Sequence, residues 1–208
     1  MSTEKIFPKI STAIRNGEAT YLLDLMHSHP DQLYFVTPFA GGSWLHFAAS
    51  EGNLEIVKIL IDLGMSPNIL GAQESDLPLD CAASSGNLEI ARYLLDQGSR
   101  IDTSASVRNP LFGAIIGRSP EIVRLLLERG IDATVRYTSP TMDNLDATAF
   151  ALSRGEPEIA RIIALHNANG DAEKADALLV EAQGIAARRG GVEANTHPSF
   201  RRGFWKIE

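Results

Sequence analysis

A block of 20 residues recurs along this chain, and the recurrence limits the fold more than any single motif does. The segments "LHFAASEGNLEIVKILIDLG" (45–64) and "LDCAASSGNLEIARYLLDQG" (79–98) match almost position by position. Further copies at residues 10–29, 111–130 and 148–167 keep the same phase. Each copy has two anchor positions that are always eleven residues apart, such as Leu45 and Ile56. The step from one copy to the next varies from 32 to 37 residues. The sequence therefore predicts rigid units joined by connections of variable length.

Each copy has the pattern of two short helices separated by a turn. The first helix is rich in alanine, which lets neighbouring helices approach closely, and the second carries a broad aliphatic face. Ser43, Asn109 and Asp146 stand where first helices begin, because a short polar side chain can accept from free backbone N–H groups there. The predicted ends of the second helices are Gly64, Gly98, Gly130 and Asn167. Since neither helix can bury its apolar face alone, the units must stack on one another.

These residues resemble ankyrin repeats, whose pattern is roughly T-P-L-H-x-A-A followed by G-x-L-E-I-V and a closing glycine. The resemblance covers about residues 8–168. It implies an all-α ankyrin-repeat solenoid of about five helix-turn-helix units, with finger loops between units and a C-terminal capping helix. The expected units lie near residues 8–32, 42–70, 76–103, 108–134 and 145–168. We therefore expect an array over residues 1–168, followed at 169–208 by a capping helix near 171–189 and a basic-aromatic tail.

Several positions within the units carry a further expectation. Leu77 stands where the third unit should have a capping residue, Arg118 replaces a glycine between helices, and Thr148 replaces a core leucine. We expect locally weaker units at Leu77 and Thr148. His46 coincides with the histidine of the ankyrin pattern, and the resemblance implies a structural hydrogen-bonding role for it.

Charge and cysteine content exclude several classes of function. The net charge of -7, from 19 Lys and Arg against 26 Asp and Glu, would repel a phosphate backbone, so nucleic acid is not an expected partner. Cys81 is the single cysteine, which excludes an internal disulfide and favours a reducing compartment, and its apolar neighbours predict a buried core residue. The N-terminus lacks a signal-peptide pattern, and no apolar run approaches ~18 residues. We predict a cytoplasmic protein without a membrane partner.

The sequence carries no strong motif for catalysis or for metal binding. A P-loop, a nucleophile elbow, paired-cysteine zinc spacing and H-E-x-x-H are all missing from it. His27 and His29 could ligate a metal, but they fall in a turn where polar residues are expected, so we predict neither a metal nor a cofactor. The alternative from another class is an enzyme with a site between the array and the C-terminal segment, using His166 or His197.

Partner recognition is expected on the finger loops and on the exposed positions of the first helices, as the resemblance implies. The longest connections, Leu33–Trp44 and Val135–Asp146, hold aromatic residues that we expect to be exposed, although at least one of Phe35 and Phe39 should fold onto the first helices. The predicted partner-binding residues are Tyr34, Phe35, Phe39, Trp44, Ser50, Glu51, Glu74, Asp76, Ser84, Ser85, Arg108, Ile116, Tyr137, Met142, Asp143, Ser153 and Arg154.

The function predicted from these observations is a non-catalytic module that binds a protein partner. A small cytoplasmic inhibitor or immunity-type protein, monomeric when free, would fit a short acidic chain, and an adaptor or scaffold subunit would fit nearly as well. The tail "RRGFWK" (201–206) combines three cations with two aromatic residues. It could dock into a partner, pack on the last helices or lie in solvent.

Overall fold

The computed structural model describes residues 6–37, 42–71, 76–139 and 142–188, and these residues form helices and one small hairpin. The chain separates into two compact units, Met1–Ala133 and Thr134–Glu208. The all-α array of helix pairs expected from the repeat is confirmed. An array boundary at residue 168 stays a prediction.

The α-helices in the described part of the first unit form four pairs arranged in two layers. Its helices are α1 (Phe7–Asn16), α2 (Ala19–Ser28), α3 (Trp44–Glu51), α4 (Leu54–Asp62), α5 (Pro78–Ser85), α6 (Leu88–Asp96), α7 (Pro110–Ile116) and α8 (Pro120–Glu128). The odd-numbered helices pack side by side in chain order, and the even-numbered helices do the same. Buried alanines at 48, 49, 82, 83 and 114 lie in the first of these layers, which explains how its helices come so close.

The predicted helix starts are confirmed by side-chain hydrogen bonds. Ser43 Oγ accepts from the Leu45 N–H at 3.2 Å. Asn109 Oδ1 accepts in the same way from the N–H two residues on, at 2.9 Å. The carboxylate of Asp146 accepts from the Ala149 N–H at 2.9 Å. Each cap satisfies a backbone donor that the helix itself leaves free.

Three of the four predicted helix ends are also confirmed, and one is wrong. Gly64, Gly98 and Gly130 have φ values of 102°, 83° and 82°, in the left-handed region that glycine enters without strain. Asn167 instead lies inside its helix, and the left-handed residues are Asn169 and Gly170. The closing turn of this helix, Pro157–Asn167, therefore lies further along the chain, where the Gly170 N–H donates to the Leu165 carbonyl.

The departures from the repeat pattern differ in how the structure accommodates them. Leu77 offers no capping oxygen, but its own N–H donates to Asp80 Oδ2 at 2.7 Å, so half of a capping box is kept. Arg118 has φ +52°, which places a non-glycine residue in the left-handed region. Thr148 is buried, and nothing in the structure explains its presence there.

Within residues 134–139 and 142–188, the described part of the second unit forms a hairpin and three helices. Its strands β1 (Tyr137–Ser139) and β2 (Met142–Leu145) are antiparallel, with Tyr137 opposite Leu145, and the helices are α9 (Ala147–Ser153), α10 (Pro157–Asn167) and α11 (Ala172–Arg188). Helix α11 packs on both α9 and α10 and buries Ala175 and Ala182. The capping helix expected near 171–189 therefore exists.

Candidate protein-interaction surface

We number the connections between helix pairs as the first finger (29–43), the second (63–77), the third (97–109) and the fourth (134–146). The first finger opens with a 3-10 helix, Pro30–Tyr34. Tyr34 and Val36 project from it with 66% and 63% of their surfaces exposed. Phe35, between them, is only half-exposed, since its ring lies 5.7 Å from that of Phe7. The expectation that one phenylalanine of this finger folds down is confirmed.

Trp44 was expected among the exposed aromatic residues, and that expectation is wrong. Its side chain is fully buried at the start of α3, with ring centroids 5.2 Å from Phe7 and 6.2 Å from Phe35. The indole N–H donates to the Gln32 carbonyl at 2.9 Å. A buried indole normally finds such a partner. Trp44 thus holds the first finger onto the helix layer instead of facing a partner.

His46 joins the first helix of one pair to the finger that follows. The Ser43 N–H donates to its Nδ1 at 3.0 Å, and its Nε2 lies 3.2 Å from the Asp76 carbonyl oxygen. Because a carbonyl can only accept, the proton is on Nε2. Burial lowers the pKa of this imidazole, against the raising effect of Asp76, so the neutral ring is favoured. The structural role implied for His46 by the resemblance is confirmed.

Two asparagines that sequence reasoning did not select fasten neighbouring pairs to each other. Asn68 donates from Nδ2 to the Gly98 carbonyl at 2.9 Å and accepts from the Arg100 N–H at 2.8 Å, which ties the second finger to the third. Asn87 donates to the Ala49 carbonyl at 2.7 Å and to the next carbonyl at 3.1 Å, at the end of α3. The sequence did offer one indication for Asn87, because the pair "GN" recurs at 52–53 and 86–87.

A family model described as ankyrin repeats (3 copies) matches residues 10–105 and 45–137, which together exceed half of the chain. The chain belongs to the ankyrin repeat family. Ankyrin repeats are protein-interaction modules and are generally non-catalytic. A similar protein is the transient receptor potential channel pyrexia of Drosophila melanogaster, 30% identical over 113 residues. That match covers 53% of this chain and 12% of the channel, so the chain spans only a small part of this relative's length.

The remaining predicted contacts of the ankyrin array differ in their exposure. Glu51, Ser84 and Arg154 are exposed. The half-exposed ones are Ser50, Asp76, Ser85, Arg108, Ile116, Tyr137 and Ser153. Phe39 and Glu74 lie outside the described residues, as do the side chains of Met142 and Asp143.

Ion pairs hold several of the charged residues on the ankyrin units. Glu51 pairs with Arg15 at 3.7 Å, and Arg108 with Asp102 at 3.8 Å. In the second unit Arg136 reaches both Asp146 at 3.4 Å and Glu181 at 3.0 Å, linking the fourth finger to α11. Such partly exposed pairs contribute about 0–1 kcal/mol each, so their effect here is mainly to orient the side chains.

The candidates for chemistry in this ankyrin chain are Cys81, His166 and His197. Cys81 is buried, as predicted, and its thiol donates to Asp76 Oδ2 at 3.4 Å. Burial and the nearby carboxylate raise the pKa of that thiol well above its usual range, which opposes formation of a nucleophilic thiolate. His166 is exposed on α10, and His197 lies outside the described residues.

No helix within the described ranges is both long and apolar enough to cross a bilayer. The same residues contain no group of three or more His, Cys, Asp or Glu that could hold a metal ion.

Proposed function

We propose that this ankyrin array is a non-catalytic binding module that recognises one protein partner through its fingers and the adjoining face of its first helices. In this proposal it acts as a small cytoplasmic inhibitor or immunity-type protein, monomeric when free, which blocks the partner by covering it. The predicted contacts whose side chains are described, apart from Trp44, remain candidates for that surface. Trp44 is not a candidate for partner contact because its side chain is buried.

The observation that carries the proposal is the position of the exposed apolar side chains. Among the described residues of the first unit, the large hydrophobic side chains with the greatest exposure are Tyr34, Val107 and Val36, at 66%, 65% and 63%. All three stand in fingers and none in an α-helix. Exposed apolar side chains on loops held by a rigid scaffold are where binding energy tends to concentrate.

The scaffold under these fingers supports the same proposal. The buried indole of Trp44 fixes the first finger, and Asn68 fixes the second finger to the third. Fingers that are already positioned lose less conformational entropy on binding than free loops would. The net charge of -7 favours a partner with a basic contact surface.

The test compares two finger variants with two matched variants outside the fingers. Tyr34→Ala and Val107→Ala remove finger-tip side chains, whereas Tyr21→Ala on α2 and Val180→Ala on α11 remove exposed side chains of the same types from helices, with 41% and 70% exposure. Each tagged variant is used to capture partners from source-cell lysate, and the affinity of any stoichiometric partner is then measured with purified proteins. We expect each finger variant to weaken binding by about tenfold or more and the helix variants to bind normally.

Equal binding by all four variants would refute the finger surface. The inhibitory role is tested separately, by assaying the captured partner's own activity with increasing amounts of this chain. A loss of activity that is complete at one equivalent supports an inhibitor. Unchanged activity in the saturated complex would favour an adaptor instead.

A further inference from the structure

Helix α11 has apolar residues on two opposite faces. One face packs on α9 and α10 and buries Ala175 and Ala182. The opposite face carries a row of exposed residues, which we call the outer face of α11, namely Ala177, Val180, Gly184 and Ala187. Their spacing of three or four residues aligns them along the helix. Val180 is 70% exposed, more than any other large hydrophobic side chain of the described residues.

An apolar outer face is unexpected on the helix that caps an array. A helix that is apolar all round is normally buried, and the terminal unit of a repeat array normally turns a polar face to water. The outer face of α11 has no charged side chain and no hydrogen-bonding group beyond the backbone. A covering segment would remove this apolar surface from water and complete the cap.

The segment best placed to cover the outer face is the remainder of this chain. Residues 189–208 continue directly from α11 and lie outside the described residues. The pair Gly190-Gly191 permits a sharp reversal of the backbone immediately after the helix. The 17 residues of α11 span about 25 Å, whereas ten extended residues span up to about 33 Å. The chain from Gly191 to Arg201 is therefore long enough to return along the whole helix. The aromatic residues of this segment are Phe200, Phe204 and Trp205.

Charge favours the same arrangement. The whole chain has a net charge of -7, whereas residues 189–208 contain four cations and two acids. The exposed acids of α11 are Glu173, Asp176 and Glu181. Asp176 and Glu181 are held in ion pairs with arginines at 2.9 Å and 3.0 Å, whereas no described residue forms an ion pair with Glu173. Glu173 lies one turn before Ala177, in line with the outer face, and is therefore available to a cation of the tail.

We propose that residues 200–206 fold back onto the outer face of α11, with their aromatic rings against Val180 and their cations toward Glu173 and solvent. The docked segment removes the apolar row from water and presents charged side chains in its place, which supplies the polar surface that a cap needs. Because the tail is attached to the helix that it covers, its effective concentration is in about the millimolar range, and weak contacts suffice to hold it.

A second copy of this chain is a less suitable occupant of the outer face. A specific interface between proteins needs about 800 Å² from each partner. The outer face consists of four residues, of which three are alanine or glycine, and it cannot supply that area. An attached tail needs far less area, because little translational and rotational freedom is lost when it docks.

The fluorescence of Trp205 tests the docking directly. In a Trp44→Phe chain, Trp205 is the single tryptophan. We expect acrylamide to quench it several-fold less in the folded chain than in the urea-unfolded chain, with emission at shorter wavelength, because a docked indole leaves water. The shielding should not change on dilution, since the contact is intramolecular. Added salt should weaken it in part, because salt screens the attraction between Glu173 and the cations of the tail.

Two matched variants locate the contact on α11. Val180→Lys removes the apolar contact and places a cation against the basic tail, so quenching should rise nearly to that of the unfolded chain. Val107→Lys makes the same change at a valine of the third finger that is 65% exposed, and quenching should stay low. Both positions face solvent, so the helical circular dichroism spectrum should be unchanged in each. Repeating the comparison in the chain that retains Trp44, whose buried indole adds a constant component, removes any dependence on the Trp44→Phe change.

Three results would overturn the proposal. If Trp205 is quenched as fully in the folded chain as in the unfolded chain, the tail lies in solvent. Shielding that survives Val180→Lys places the tail elsewhere, and shielding that is lost on dilution shows that the tail binds a second copy. The test needs no partner, so its outcome is independent of the proposed finger surface.

Discussion

Replacing Gly117 with alanine tests how closely α7 packs on α5. A Cβ at this position would lie 2.6 Å from the Ala83 carbonyl oxygen and 3.0 Å from that of Ser84, both backbone atoms that cannot turn aside. The φ of −70° and ψ of −6° suit alanine, so the backbone alone would gain about 0.4–1 kcal/mol from the change. Overpacking costs about 1–3 kcal/mol, and more when the obstacle is backbone. We expect the free energy of unfolding to fall by about 1–2 kcal/mol.

Two other glycines provide a graded control for this prediction. A Cβ on Gly113, in α7 itself, would meet the Asp80 carbonyl oxygen at 3.3 Å, so Gly113→Ala should be close to neutral. A Cβ on Gly184 in α11 would have no atom of the described residues within 4 Å, so Gly184→Ala should stabilise by up to about 1 kcal/mol. Urea unfolding is followed by circular dichroism, and by fluorescence in a Trp205→Phe background that leaves Trp44 as the reporter. A Gly117→Ala protein as stable as wild type would refute the close approach of α5 and α7.

Three further stability predictions can be measured by the same urea unfolding. Asn87→Ala removes two hydrogen bonds to the end of α3 and should cost about 1–2 kcal/mol; a change below about 0.5 kcal/mol would mean that water replaces the amide without loss. Arg118→Gly removes the strain of a side chain in the left-handed backbone conformation, φ +52°, and should raise the free energy of unfolding by about 1 kcal/mol. A lower free energy of unfolding would show that the contacts of the arginine outweigh the strain. Trp44→Phe keeps most of the buried ring but removes one of the two N–H donors to the Gln32 carbonyl, the other being that of Phe35. It should cost about 1–2 kcal/mol with an unchanged helical spectrum, and equal stability would refute a structural role for the indole N–H.

The helices and their limits could be predicted from the sequence because the signals are local. Apolar periodicity, the caps at Ser43, Asn109 and Asp146, and the closing glycines each act within one or two turns of chain. Asn167 shows where this fails, because two left-handed candidates follow it and the choice depends on how far α10 can extend. Local signals therefore establish which elements exist more firmly than where each one stops.

The candidate surface could be predicted only in part, since exposure depends on residues far apart in sequence. Tyr34 in the first finger and Trp44 directly after it look alike in sequence, yet one is exposed and the other is enclosed by Phe7 and Phe35. No pattern within the finger distinguishes them, because the enclosing ring of Phe7 comes from α1. The role of Asn68 could not be predicted for the same reason, because its hydrogen-bond partners are 30 and 32 residues away in sequence.

The sequence by itself determined that this chain is an ankyrin array, because stacked units must repeat the same apolar positions at the same phase. Tertiary structure alone decided how the departures from the repeat at Leu77 and Arg118 are accommodated. In the sequence Asp80 is one acidic residue among 26, whereas in the folded chain burial raises its pKa to about 8, with smaller contributions from Asp76 and Asp102. Repetition is visible along the chain in residue order, whereas the dielectric surroundings of a carboxyl group are created by every segment that folds against it.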